Sequence, residues 1–154
     1  MAIHGMTHTE SIEIAAPLAD VFDAVRRLER MGEWSPENHG GEWVSGDGSS
    51  AGDQFLGTNR IGEREWQAPA VVTRSEPGVA FEFTVPSTDN PMADWRYGFK
   101  QTEAGTRVTE SWEVFRLPES WDGDEDPARI ASRTQAVQEG MRTTLAALKA
   151  TLEA

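Results

Sequence analysis

The second half of the chain contains three consecutive segments in which apolar and polar residues alternate, and these segments constrain the fold more than any other feature. They read VAFEFTV (79–85), DWRYGFK (94–100) and RVTESWEV (107–114), with turn-forming sequences between them. Successive side chains of a strand point to opposite faces, so each segment predicts an antiparallel strand with one buried and one polar face. The apolar face of such a sheet has to be covered by a second layer.

The C-terminal segment supplies that second layer. Residues 124–154 read DEDPARIASRTQAVQEGMRTTLAALKATLEA, and their apolar residues recur at spacings of three, four or seven. This spacing predicts one long helix with a single apolar stripe. Asp126 is placed to cap the first turn, and Pro127 suits the first helical position.

The first half of the chain completes the sheet. TESIEIAA predicts a first strand, and PLADVFDAVRRLERMGEW predicts two short helices that end before the loop WSPE. GEWVSG, QFLGTNRI and REWQAPAVVTR predict three more strands. The order predicts an α+β fold in which a strongly bent seven-stranded antiparallel sheet wraps around the long C-terminal helix, with two short helices between strands 1 and 2. We expect residues 1–154 to form one domain, with residues 1–8 as a flexible tail.

The charge balance excludes several classes of partner. The chain of 154 residues carries 26 acidic and 14 basic side chains, and the formal net charge of -12 repels phosphate backbones and anionic lipid surfaces. No window of about 18 apolar residues predicts membrane insertion, and the N terminus lacks the layout of a signal peptide. Because cysteine is absent, disulfides, thiolate nucleophiles and cysteine-bound metals are excluded. We therefore expect a cytoplasmic protein that binds neither nucleic acid nor membranes.

Two short motifs are excluded by their surroundings. GSSAG (48–52) has the spacing of a nucleophile elbow around Ser50, but a predicted strand follows it and all three histidines lie upstream. DGDED (122–126) has the acidic spacing of a calcium loop, but Pro127 and Arg133 occupy the positions that require Gly and Glu. The sequence thus predicts neither a hydrolase triad nor a calcium site, and we expect no metal and no nucleotide cofactor.

Several longer segments resemble a known family. IAAPLADVFDAV, RMGEWSPE, GDQFLGTNR and DWRYGFKQTEAGTRVTESWEV are similar to segments of the START-like helix-grip proteins (the SRPBCC superfamily), in particular of its polyketide cyclase/dehydrase and lipid-transport group. The resemblance runs from Ser11 to Leu152. It implies the helix-grip fold and a cavity between sheet and long helix for hydrophobic, typically polycyclic, ligands, but it implies no reaction. Asn38 and Gly98 depart from the group's pattern, which has a small residue and an arginine at these positions.

Glu110 stands on the wrong face of the last predicted strand. Its neighbours at every second position are apolar, so the alternation directs its carboxyl group into the core. An unpaired carboxylate away from water is costly, so Glu110 must be neutral, paired or wetted by a lumen. Two interpretations follow. Either Glu110 binds a ligand hydroxyl or acts as an acid or base, or it hydrogen-bonds a neighbour such as Asn59, Tyr97 or an arginine and only organises the core.

The other candidate residues would form the wall of a cavity, although their rings could also fill a solid core. Asn59 lies on a predicted inner face and either contacts a ligand or bonds to backbone. The resemblance places Glu37 near the cavity, and the alternative is a surface carboxylate that caps the following turn. The predicted ligand-binding residues are Glu37, Asn59, Trp66, Phe83, Trp95, Tyr97, Phe99, Glu110, Trp112, Val137 and Met141.

These features favour a protein that binds a small hydrophobic molecule, aromatic or polyketide-like, in an internal cavity. One alternative is a cyclase or dehydratase that uses Glu110 as acid or base, with Asn59 or Tyr97 as its partner and without a metal or nucleotide cofactor. Another alternative is a non-catalytic module that binds a protein partner. The sequence also leaves a homodimer open.

Overall fold

Seven strands form one antiparallel sheet in the computed structural model, which describes residues 2–154. Their spatial order is β1-β7-β6-β5-β4-β3-β2, so every strand except β1 lies beside its neighbour in the chain. This arrangement confirms the predicted sheet. The strands are β1 (Thr7–Ile14), β2 (Asn38–Ser45), β3 (Gln54–Ile61), β4 (Arg64–Glu76), β5 (Ala80–Val85), β6 (Ala93–Thr102) and β7 (Gly105–Val114).

Two short helical segments connect β1 to β2, as the sequence predicts. They are the helix α1 (Leu18–Arg26) and a 3₁₀ helix (Leu28–Glu33), and a second 3₁₀ helix (Glu119–Trp121) follows β7. The long helix α2 (Pro127–Glu153) closes the chain. Its N-cap is Asp126, whose side chain accepts a hydrogen bond of 3.1 Å from the backbone N–H of Ala128.

The buried face of α2 packs against two apolar clusters. Leu145 and Leu148, in its C-terminal half, belong to the larger cluster, which includes α1 and the inner faces of β3 to β7. Val137 and Met141, near the middle of the helix, belong to a smaller cluster with Trp112 and the ends of β6 and β7. No helix within residues 2–154 is both long and apolar enough to cross a membrane.

The N-terminal segment differs from the expected flexible tail. Thr7 and His8 pair with β7 as the first residues of β1, and the Met6 side chain is only 2% exposed. The backbone N–H of Ile3 also donates a hydrogen bond of 2.9 Å to the carbonyl oxygen of Val114. Residues 3–8 lie against the sheet because β7 extends past the region that the alternating pattern of β1 covers, and Met6 packs over its last residues.

Candidate functional site

A cavity of about 640 Å³ lies between the inner face of the sheet and the middle of α2. Strands β3 to β7 contribute nearly half of its lining residues, and most of the others come from α2, the first 3₁₀ helix and the loop that follows it. The wall contains residues of both apolar clusters, so the cavity lies where the two parts of the core meet.

The most deeply buried polar groups of this wall are the side chains of Tyr97 and Glu110. β6 and β7 pair in a register that sets Tyr97 directly opposite Glu110, and both side chains point inward. The Tyr97 hydroxyl donates a hydrogen bond of 2.7 Å to Oε2 of Glu110. Oε1 of Glu110 has no hydrogen-bond partner among residues 2–154, although the residue is only 2% exposed. Half of this carboxyl group is therefore paired and half is not.

Burial controls the protonation of both groups. Loss of water raises the pKa of Glu110 to about 8, against a smaller lowering by the hydrogen bond from Tyr97. Burial likewise raises the pKa of Tyr97 well above its ordinary value, so the phenol remains a donor. At neutral pH the Glu110 carboxyl is thus largely neutral. Because Oε2 already accepts from Tyr97, Oε1 is the oxygen that is free to carry the proton and to donate a hydrogen bond.

An ion pair joins two residues of the cavity wall that are distant in the chain. Arg133 on α2 donates two hydrogen bonds to Glu37, of 2.6 Å to Oε1 and 3.0 Å to Oε2. This bidentate geometry links the loop after the first 3₁₀ helix to α2. The turn-capping role considered for Glu37 belongs instead to Asn38, whose side-chain oxygen accepts 2.8 Å from the N–H of Gly40.

Asn59 and the tryptophans complete the wall. The side-chain amide of Asn59 has no hydrogen-bond partner within residues 2–154, so neither its predicted bond to Glu110 nor one to backbone is present. Trp95 and Trp112 pack with ring centroids 6.2 Å apart. The guanidinium of Arg64 lies 5.0 Å from the centre of the Trp66 ring. The wall therefore offers flat apolar surfaces and a free amide in addition to the Glu110 carboxyl.

The structure brings the predicted site residues together, with one exception. Phe99 lies outside the wall and packs edge-on against Phe22 of α1, with ring centroids 5.3 Å apart. The alternation correctly places Phe99 on the inner face of the sheet. It does not show that α1 fills the space at that end of β6. The predicted residues in the wall are Glu37, Asn59, Trp66, Phe83, Trp95, Tyr97, Glu110, Trp112, Val137 and Met141.

Sequence reasoning missed three notable wall residues. Arg133 precedes Val137 by one helical turn, so the helical spacing contains a signal for it. Met6 and Trp121 carried no such signal, because they lie in segments expected to be a tail and an acidic loop. Of the two departures from the family pattern, Asn38 lies in the wall, whereas Gly98 lies between the inward residues of β6 and outside the wall.

The bent sheet, the long helix and the cavity between them define a helix-grip protein. The family model for polyketide cyclase / dehydrase and lipid transport matches residues 6–153, so the chain belongs to that family. This finding confirms the resemblance seen in the sequence.

Solved structures agree with the assignment. The solution structure of a polyketide-cyclase-like protein from Corynebacterium glutamicum is 34% identical, with a TM-score of 0.70 over 96% of this chain and 91% of that chain. A protein from Nitrosomonas europaea shares the fold at 16% identity and a TM-score of 0.73, over 98% of this chain and 97% of the other. The di-domain ARO/CYC protein StfQ of the steffimycin biosynthetic pathway has a TM-score of 0.74 at 11% identity, over 96% of this chain and 50% of that one. Comparison with curated proteins gives no match.

Proposed function

We propose that this protein binds a small, mainly apolar molecule in its cavity and that Glu110 donates a hydrogen bond to an oxygen of that molecule. The observation that carries this proposal is the buried Oε1 atom of Glu110, which has no partner in the wall of a ligand-sized cavity. A buried polar atom without a partner is costly, and a ligand oxygen would remove that cost.

The volume and the lining of the cavity support a ligand of this kind. Its volume of about 640 Å³ falls within the range of about 300 to 1,000 Å³ for small-molecule sites. The wall is mainly apolar and includes seven aromatic side chains, and polar side chains are a minority of its residues. A flat molecule with a carbonyl, ether or hydroxyl oxygen fits these surfaces. The family of polyketide cyclases and dehydrases, and the similarity of the fold to the ARO/CYC protein StfQ, support an aromatic or polyketide-like compound.

Acid catalysis is the second candidate function, and the protonation state of Glu110 favours it. A neutral carboxyl group with a pKa of about 8 can transfer a proton near neutral pH. In a dehydration, Oε1 of Glu110 would give its proton to the leaving hydroxyl of the ligand, which departs as water. The resulting carboxylate would then take the proton from the neighbouring carbon as the carbon–carbon double bond forms. Glu110 ends such a cycle protonated, as it began.

Ligand binding is tested first by native mass spectrometry of protein purified from its own host, with extraction and identification of any bound compound. The fluorescent probe anilinonaphthalene sulfonate then reports on the cavity in purified protein. Ala68 lies in the wall, and its neighbour Gln67 points to solvent from the other face of β4. Ala68→Phe should abolish probe binding, and Gln67→Phe should leave it unchanged. Equal binding by both variants would refute the cavity as the binding site.

Binding and catalysis are separated by Glu110→Gln. Glutamine can still accept from Tyr97 and donate to a ligand oxygen, but it cannot transfer a proton. If the extracted compound binds the variant normally and is converted only by the wild-type protein, Glu110 is an acid–base catalyst. If neither protein converts it, binding alone is supported.

A further inference from the structure

A second carboxyl group faces Glu110 from the edge of the sheet. β1 and β7 pair so that Glu10 lies directly opposite Glu110. Glu10 is on the inner face of β1, because its side chain reaches α2, where Nε of Arg142 donates 3.0 Å to its Oε2. Directly opposite residues of an antiparallel pair have Cβ atoms about 4.5–5.5 Å apart, so their charges interact strongly. Two inward carboxyl groups therefore share one position of the sheet.

The two carboxyl groups lie in different environments. Glu10 is partly exposed, and its Oε2 lies 2.5 Å from Nε2 of His8 in addition to its contact with Arg142. The hydrogen bond with His8 and the charge of Arg142 lower the pKa of Glu10. Glu110 has no basic partner, and burial together with the negative charge of Glu10 raises its pKa. A pair of acids whose pKa values are driven apart in this way can divide the charged and the neutral role between them.

We propose that Glu10, held ionised by His8 and Arg142, is a positioning residue that keeps the Glu110 carboxyl group protonated. Its negative charge disfavours a second carboxylate at the paired position, so the proton stays on Glu110. Glu10 lies outside the cavity wall. The inference rests on the proposed function, because a protonated Oε1 of Glu110 is the group that a ligand would contact.

The charges around this pair are few. Tyr97 on β6 faces Glu110. His8 on β1 and Arg142 on α2 both face Glu10. The other charged residues of the cavity wall are Glu37, Arg60, Arg133 and Glu139, and Glu37 and Arg133 neutralise each other. Glu10 is thus the negative charge that acts most directly on Glu110 within residues 2–154.

The test is a titration of the Glu110 side-chain carboxyl carbon by NMR in the ligand-free protein, with the signal assigned by its loss in Glu110→Gln. Glu10→Gln should lower the titration midpoint of Glu110 by about one pH unit, because it removes a neighbouring negative charge. Arg142→Met should raise the midpoint, because it leaves the charge of Glu10 less compensated. Glu13→Gln is the matched control: Glu13 is an exposed carboxyl of the same strand on the outer face, and its loss should leave the midpoint unchanged.

The two variants are expected to shift the titration midpoint of Glu110 in opposite directions. A midpoint that stays in place in Glu10→Gln, or that falls in both Glu10→Gln and Arg142→Met, would overturn the proposal. Amide spectra of each variant show whether the fold is retained, and because Arg142 is an exposed helical residue, Arg142→Met should keep the fold. Because the titration needs no ligand, a failure to find any bound compound would refute the proposed function without affecting this result.

Discussion

The Glu110 carboxyl group should make the stability of this protein fall as the pH rises from mildly acidic to mildly alkaline. Its pKa in the folded protein is about 8, whereas 4.5 is its ordinary value. Below pH 4.5 the folded and unfolded chains both keep the proton. Between these two values the unfolded chain loses the proton and the folded protein retains it, so each step in pH favours unfolding. Above pH 8 both forms are ionised and the dependence ends.

The expected size of the effect follows from the same two values. The interval between 4.5 and about 8 spans roughly 3.5 pH units, and each unit corresponds to about 1.4 kcal/mol, which gives about 5 kcal/mol in the free energy of unfolding. The group is only 2% exposed, so solvent screening does not reduce this value strongly. A loss of this size is comparable to the whole stability of many small domains, which is about 5–15 kcal/mol.

Urea unfolding at a series of pH values measures the effect, with Glu110→Gln as the reference. The glutamine variant cannot ionise at this position but shares every other titrating group, so the difference between the two proteins isolates Glu110. We expect the difference to change by about 5 kcal/mol between pH 4.5 and pH 9, in the direction of a less stable wild-type protein. Glu103→Gln, in the exposed turn between β6 and β7, serves as the control for replacing a carboxyl group outside the core.

If the difference in the free energy of unfolding between the wild-type protein and Glu110→Gln stays constant over this pH range, the reasoning is refuted. It would mean that the folded protein ionises Glu110 as readily as the unfolded chain does. The carboxyl group would then be hydrated or paired with a cation, and the interpretation of Oε1 as a buried proton donor would fail.

Three smaller predictions concern contacts of the site and the helix. Tyr97→Phe removes the donor to Glu110, so the titration midpoint of Glu110 should rise, and the free energy of unfolding should fall by about 1–3 kcal/mol; an unchanged midpoint in the NMR titration would contradict the role of that hydrogen bond. Asp126→Ala removes the N-cap of α2 and should cost about 1 kcal/mol in urea unfolding, whereas Asp126→Asn should cost little. Arg133→Met breaks the partly exposed pair with Glu37 and should cost no more than about 1 kcal/mol. A much larger loss in urea unfolding would show that this ion pair is a main support of the fold.

The fold was largely predictable because its signals are local. Alternation over three strands, an amphipathic C-terminal segment and a capping Asp126 each act within a few residues, and the structure confirms them. The position of Glu110 on the inner face also followed from alternation alone. The boundary of the cavity was harder to predict from the sequence, because it depends on which side chains of other elements fill the space. Phe99 shows this limit: its face was predictable, but the contact with Phe22 was not.

The register in which β1 pairs with β7 could not be predicted from the sequence. The position of Glu10 opposite Glu110 could therefore not be predicted either. The inner positions of β1 near the N terminus are His8 and Glu10, which look like solvent-exposed residues of a frayed strand. Their inward direction becomes meaningful only when the register places Glu10 opposite Glu110 and the helix brings Arg142 to the same point. Residues separated by about a hundred positions therefore create this feature, and no local pattern encodes it.

The energetic cost of Glu110 itself argues that the cavity is used. Glu110→Leu combined with Tyr97→Phe would continue the apolar inner face without leaving an unpartnered atom, because replacing both partners of a buried hydrogen bond by apolar groups of similar shape can be nearly neutral or stabilising. The fold instead carries a carboxyl group whose ionisation would remove about 5 kcal/mol of stability above pH 8. Core packing gains nothing from such a group, and neither does the sheet, because Tyr97 satisfies only one of its two oxygens. The unsatisfied Oε1 is explained when a molecule in the cavity supplies its missing partner, and that is the same atom from which a proton would be transferred.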